Sequence, residues 1–332
     1  MKNFAYAKPS SVEDAIAALG DGADVLAGGT TMVDLMKLEV MTPDALVDIT
    51  ALPDLSEVTI GDGRIRFGAL AKMQAVADNA ELARMAPVFT ETLWMAASPQ
   101  LRWAATLGGN ILQRTRCPYF RDTHYLQCNK RDPGSGCAAL DGGRTNMHAI
   151  LGGSEACVAM YPGDFAQALI AFDAEVVVEG PSGERRIPFA DLHVLPADDP
   201  SRETVLGPRE VVVAIEVPRS PAMRGSYYLK ARDRESYAFA SASAAVGLAM
   251  EGDTVSDARV ALGGVASVPW RARAAEDVLR GATFSEELAR EAGRAAFADA
   301  VPLEGSAYKI PLGASVVAGA LMTARERARQ EG

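Results

Sequence analysis

The sequence has no run approaching about 20 consecutive apolar residues, the length a helix needs to cross a bilayer, so a membrane span is not expected. It is also short of positive charge, with 33 Lys and Arg against 43 Asp and Glu, a formal net charge of −10. A nucleic acid partner needs a basic patch that this balance opposes. The opening residues, MKNFAYAKPSSVEDAIAALG, lack an apolar core and carry Glu13 and Asp14 early, so they do not read as a signal peptide. The three histidines fall in no Ser-His-Asp order and no H-E-x-x-H pattern, and no catalytic pair of carboxylates stands out. Self-contained hydrolytic chemistry therefore has no visible apparatus. The 332 residues hold no internal repeat or low-complexity tail, and the length suits two or three domains.

Cysteine is absent outside one stretch, where Cys117, Cys128, Cys137 and Cys157 are separated by ten, eight and nineteen residues. The close C-x-x-C pairs of zinc ribbons are missing, whereas cysteines spread singly along a loop can each reach a different corner of a cuboidal cluster. Spacing alone leaves three readings open: iron–sulfur, zinc, and disulfides or inert thiols. Residues 114 to 144 carry Arg114, Arg116, Arg121, Lys130, Arg131 and Arg144 against Asp122, Asp132 and Asp141, a local balance of 6 − 3 = +3. Such a surround is expected to favour thiolates and an anionic cluster. His124 and His148 lie inside the loop and His193 beyond it, each with a structural role as the default.

A β-α-β-α-β rhythm occupies the first 50 residues or so, with strands at Phe4 to Ala7, DVLAGG and ALVDIT and helices at Ser10 or Ser11 through Leu19 and at TTMVDLMKLEV. Ser10 and Glu13 have capping-box spacing. EVTIGDGRIRFGA predicts a hairpin, and Ala71 to Ala105 reads as helical. Leu107 to Gly153 is loop-like; SEACVAM, AEVVVEG and VVVAIEV then read as strands and DFAQALIAF as a helix. A linker at Pro218 to Pro221 leads to three strands (SYYLKAR, ASAAVGLAM, ARVALGGV) and to helices near 271–279, 285–300 and 313–329.

LAGGTTMVDLM places two residues without Cβ and two hydroxyls between a strand and a helix, a turn whose free N–H groups can hold a phosphate. The plain alternative is a tight turn capped by Thr30 or Thr31. A second glycine pair follows at TLGGN. Two such turns on either side of an architectural change suit a dinucleotide pyrophosphate gripped between two subdomains. Neither is a G-x-G-x-x-G or a Walker loop.

LAGGTTMVDLMK, SPQLRWAATLGGN, CPYF, CNKRDPGSGCAALDG, HAILGGSEAC and YPGDFAQAL together resemble the FAD-binding medium subunit of the xanthine dehydrogenase family of molybdenum hydroxylases. Within it they most resemble the subgroup with an extra iron–sulfur cluster, typified by the periplasmic aldehyde oxidoreductase. The resemblance implies an α+β, PCMH-type FAD-binding domain over 1–220, with a small α/β subdomain (1–55) and a larger one (56–220) that carries the cysteine loop (114–157). A C-terminal flavoprotein domain of three strands plus helices would follow over 221–332. It implies FAD held by Gly28, Gly29, Thr30 and Thr31, flanked by Leu26, Ala27 and Met32, with a second grip from Thr106, Gly108, Gly109 and Asn110. Asp164 would contact the ribitol or ribose, although Gly163 stands where the family turn has serine. Lys230 would lie near the flavin; a solvated strand lysine is its plain alternative. Cys117, Cys128, Cys137 and Cys157 would ligate a [4Fe-4S] cluster.

The implied activity is electron transfer in a molybdenum-dependent aldehyde oxidoreductase, from a small subunit with two [2Fe-2S] clusters through FAD to an external acceptor. The partners would be that subunit and a large molybdopterin subunit. The flavin subunit of a 4-hydroxybenzoyl-CoA reductase or xanthine dehydrogenase type of enzyme is the alternative, and a zinc- or disulfide-stabilised binding module is the non-enzyme one. A cytoplasmic location is the default, or a periplasmic one through export with a Tat-targeted partner.

Overall fold

The computed structural model describes residues 1–197 and 199–329; Asp198 and the last three residues of the expected C-terminal domain lie outside it. Three sheets organise the chain. The first is parallel, with β1 (Ala5–Ala7) and β2 (Ala23–Leu26) on either side of β3 (Ala45–Asp48). The helices Val12–Ala18 and Met32–Lys37 connect its strands. Ser11 caps the first of them by accepting the Asp14 N–H at 3.0 Å, so the cap sits one residue later than the Ser10–Glu13 spacing predicts.

The second sheet is antiparallel in the order β4 (Val58–Ile60), β5 (Arg64–Gly68), β8 (Val211–Pro218), β6 (Glu175–Gly180), β7 (Gly183–Pro188). The predicted hairpin is β4–β5. The sheet is covered on both faces. Val211 and Val213 pack with Ala15, Ile16 and Val47 of the first sheet and its helices, while Ile65, Phe67, Ile215 and Val217 face the other helices. Beneath those helices Phe67, Phe89, Phe165 and Phe172 form a ring cluster with centroids 5.7 to 6.1 Å apart, each pair adding about 0.5–1.5 kcal/mol beyond area burial.

Ala71 to Ala105 is helical, as four short helices: Met73–Ala77, Ala80–Met85, Pro87–Trp94 and Pro99–Ala104. The predicted strand at SEACVAM does not form. Its backbone pairs irregularly instead, Ser154 N–H with Cys157 O and Ala149 N–H with Val158 O, and the residue after it, Tyr161, donates to Ala266 O.

The third sheet holds β9 (Gly225–Ala231), β10 (Ala242–Glu251) and β11 (Thr254–Gly263), with the two-residue β12 (Trp270–Arg271) on its edge. Helices Arg273–Leu279, Glu286–Ala295 and Lys309–Arg329 follow. Against the expectation from residue runs, the stretch Glu304–Arg329 is long and apolar enough to cross a membrane by length and composition. Its apolar face, with Val316, Val317, Ala320 and Leu321, is instead buried in the core formed with Val246 and Leu248 of β10.

Candidate functional site

β2 runs into Gly28 and Gly29 before the helix Met32–Lys37 begins. A Cβ on Gly28 would sit 2.3 Å from the Ala104 carbonyl oxygen, and Gly29 adopts a φ of +71°, so close approach fixes the first glycine and backbone conformation the second. Thr31 occupies the cap position yet makes no capping hydrogen bond, which removes the plain reading of that hydroxyl. Among the described residues the amides of Gly28, Gly29, Thr30 and Thr31 donate to no backbone carbonyl.

The second turn is built differently. Thr106 caps the helix Leu107–Ile111 by accepting the Gly109 N–H, Gly108 N–H goes to Ala69 O at 2.8 Å, and Asn110 N–H goes to Thr106 O at 2.8 Å. Its amides are spent. What it still offers is the Thr106 hydroxyl proton, a wall without Cβ, and Asn110 Oδ1, which is buried with no partner. A Cβ on Gly108 would lie 3.0 Å from Ala69.

Two cavities meet at these turns, one of about 710 Å³ and one of about 740 Å³, and Thr30, Thr31 and Gly109 line both. Each has the size of a small-molecule site. Ala27, Gly28, Gly29, Met32, Thr106 and Gly108 border the first lobe, and Asn110, Asp164 and Lys230 the second. Leu26 borders neither; its carbonyl accepts Ile49 N–H in the sheet. The sequence reading missed Asp24 and Arg114 in the first lobe, and Asp34, Met73, Tyr237 and Phe239 in the second. Burial raises the Asp24 carboxyl above its ordinary value, with Arg114 opposing.

Asp164 begins the helix Phe165–Ala171 without capping it. Its Oδ2 accepts from Lys230 Nζ at 2.8 Å and its Oδ1 from the Tyr228 hydroxyl at 2.5 Å, both from β9. Lys230 also donates to Met95 O, and its side chain is 1% exposed, so it is not a solvated strand lysine. A Cβ at Gly163 would fall 2.6 Å from the Tyr161 ring. A side chain at this position would have to displace that buried ring.

All four cysteines border one small cavity together with Tyr119, Phe120, Lys130 and His148, and none is in a disulfide. Cys128 and Cys137 face each other across an antiparallel bridge, closed by Asn129 N–H to Gly136 O and Ala138 N–H to Gln127 O. Asn129 Oδ1 accepts Gly134 and Gly136 N–H, which tightens the loop between them. Among the described residues no group of three or more His, Cys, Asp or Glu is gathered closely enough to hold a metal ion.

The expected thiolate-favouring surround is not what the structure shows. Burial pushes the Cys117 thiol up to about 12 and raises Cys157 as well, against which Lys130 is a smaller opposing influence. The cations are committed elsewhere: Arg131 donates to the carbonyls of Tyr119, Phe120 and Tyr125, Arg116 and Arg121 pair with Asp34, and Arg114 and Lys130 with Glu203.

The histidines diverge. His124 is exposed and pairs with Asp122. His148 is 2% exposed, its Nε2 3.3 Å from Cys117 Sγ, and burial followed by the charge of Lys309 holds it down at about 4. Burial likewise holds His193, whose ring meets Ile111 O at 2.9 Å, at about 4.

Residues 2–220 match the family described as the FAD binding domain in molybdopterin dehydrogenase, and residues 226–323 match the CO dehydrogenase flavoprotein C-terminal domain. The aldehyde oxidoreductase FAD-binding subunit PaoB of Escherichia coli K12 is 42% identical over 99% of this chain and 100% of its own length. The carbon monoxide dehydrogenase medium chain of Hydrogenophaga pseudoflava is 30% identical over 98% of both. A solved structure of carbon monoxide dehydrogenase from H. pseudoflava superposes with a TM-score of 0.77 at 29% identity, covering 98% of each chain. Since both family regions are matched in order and full-length relatives align from end to end, the chain belongs to the FAD-binding medium subunits of the molybdenum hydroxylases.

Proposed function

We propose that this chain is the electron-transfer subunit of a molybdenum-dependent aldehyde oxidoreductase and that it carries a [4Fe-4S] cluster beside its FAD. The observation that carries the reading is one of adjacency: Arg116 borders the second lobe of the FAD-sized cleft, and Cys117, the next residue, borders the four-cysteine cavity. Two redox groups held that way are linked by a single peptide unit.

The donor set supports the cluster. Four separate thiols converge on one buried space with no pairing into disulfides. A single tetrahedral zinc would need sulfurs about 3.8 Å apart, given Zn–S bonds of about 2.3 Å. No such group exists among the described residues. A cuboidal cluster takes one thiolate per iron and so spreads its ligands more widely.

For FAD, the unpaired amides of Gly28 through Thr31 and the free Thr31 hydroxyl fit the pyrophosphate, while the second turn closes over it with the Thr106 hydroxyl and leaves the Asn110 amide oxygen to accept from an N–H or hydroxyl of the dinucleotide. The first lobe, with Asp24 facing it, suits the adenosine half, and the second, walled by the Asp164–Lys230 pair, the ribitol and flavin. Bound flavin accepts electrons singly and discharges them in pairs, which couples iron–sulfur carriers to an external acceptor. The chain's part is to position that group, exclude water from the Lys230 side, and hold the cysteine loop against it. The large molybdopterin and small [2Fe-2S] partners would supply substrate chemistry, and the compartment follows theirs.

The aldehyde assignment rests on the 42% identical relative. Anaerobic addition of an aldehyde to the native complex should bleach the flavin absorbance, with carbon monoxide and purines inert. Bleaching only by carbon monoxide or a purine would replace the substrate class. Flavin that refills only from an added low-potential donor would favour the 4-hydroxybenzoyl-CoA reductase direction of flow.

A further inference from the structure

His148 is the polar group at the cysteine cavity with no role yet accounted for. Its backbone N–H binds Thr145 O at 3.0 Å, its ring stacks on Tyr119 with centroids 5.9 Å apart and planes at 29°, and its Nε2 points at Cys117 Sγ from 3.3 Å. Nδ1, on the opposite side of the ring, is buried with no partner. Two contacts, the Tyr119 stack and the Cys117 sulfur, thus orient the ring, and the Thr145 bond holds the backbone that carries it.

A neutral imidazole has one N–H and one lone pair, and the two ends of this ring sit in unequal surroundings. A buried N–H left unpaired is rarer than an unpaired acceptor, so the proton belongs on Nε2, facing the sulfur. There it finds a strong acceptor when Cys117 is a thiolate, the state iron ligation imposes, and only a weak one in a neutral thiol sulfur. In the free thiol the same pair would reverse, with S–H donating to the ring. The geometry is therefore completed by a ligated cysteine.

We propose that His148 is a positioning residue for the cluster, donating Nε2–H to the Cys117 thiolate and so raising the cluster's reduction potential toward that of the adjacent flavin. This rests on the reading that the four cysteines hold a [4Fe-4S] centre. The reason is electrostatic. Each added electron places negative charge on the sulfurs, and a donor aimed at one of them in a buried site stabilises the reduced form more than the oxidised one. The stack on Tyr119 keeps the donor from turning away.

The test uses the native complex purified anaerobically as wild type, His148→Phe, which keeps a ring on Tyr119 but removes the donor, and His148→Gln, which offers an N–H again. Iron and acid-labile sulfide are counted first, and the cluster potential is then read by an EPR-monitored titration. His148→Phe should shift the reduction equilibrium about tenfold toward the oxidised cluster, which for a one-electron couple is about 59 mV. His148→Gln should recover at least half of that shift. An unchanged potential in a fully loaded His148→Phe cluster overturns the proposal and leaves the cluster reading standing. Wild type without sulfide removes both. If His148→Phe fails to assemble the cluster, pulsed EPR on wild type grown with 15N-histidine decides: a weak nitrogen coupling to the reduced cluster supports the proposal, and its absence overturns it.

Discussion

Lys230 and Asp164 form a buried ion pair at 2.8 Å that ties β9 of the C-terminal region to the start of the helix Phe165–Ala171, on the wall of the second lobe. The two residues lie on opposite sides of the boundary between the matched family regions. Removing one partner of such a pair leaves an uncompensated charge, at a cost of about 3–5 kcal/mol. Lys230→Met should therefore destabilise the chain by that much in denaturant titrations. Asp164→Asn combined with Lys230→Met should cost clearly less than the two changes summed. Additive losses would show that the pair is not coupled.

The two glycine turns should respond differently to substitution. Gly28→Ala drives a Cβ into the Ala104 carbonyl, so it should lower the stability of the flavin-free chain as well as its FAD affinity. Gly109→Val meets only Thr106 Oγ1 at 3.2 Å and projects into the cleft. It should weaken FAD at least about tenfold, roughly 1.4 kcal/mol, while the flavin-free melting temperature stays within a few degrees. FAD content equal to wild type in Gly109→Val would remove this turn from the binding site.

His193 sets part of the acid stability. Its folded value is about 4 against an ordinary 6.5, so it is neutral when folded while the unfolded chain binds a proton below 6.5. Stability is intact above pH 6.5 and is lost as pH falls from 6.5 to 4, by as much as about 3 kcal/mol from this residue. His148 acts in the same window. His193→Gln should flatten roughly half of that slope in urea midpoints measured between pH 7 and 4. An unchanged slope would place the acid sensitivity elsewhere.

What could be read in the sequence was whatever depends on neighbours in the chain. The parallel β-α-β units, the β4–β5 hairpin and the Gly28–Gly29 turn all follow from local pattern, and the structure carries them. The cysteine loop was legible by spacing, yet its electrostatics were not. Counting charges from Arg114 to Arg144 says nothing of where the guanidinium groups point, and they turn to carbonyls, Asp34 and Glu203 while burial governs the thiols. Lys230 looks solvated in YYLKAR because its partners, Asp164 and Met95, are 66 and 135 residues away. Asp24 and Tyr237 were invisible for the same reason, and SEACVAM has strand composition yet forms no strand.

The proposed function has the four cysteines of a flavin subunit holding one [4Fe-4S] cluster beside FAD. The most direct measurement counts iron, zinc, acid-labile sulfide, flavin and free thiols per chain in anaerobically purified wild type and Cys137→Ser. Wild type should contain about four irons and four sulfides with one acid-releasable FAD. In Cys137→Ser iron and sulfide should fall together while FAD is largely kept. Zinc without sulfide, or no metal with the thiols paired, after attempted anaerobic reconstitution of wild type, would contradict it.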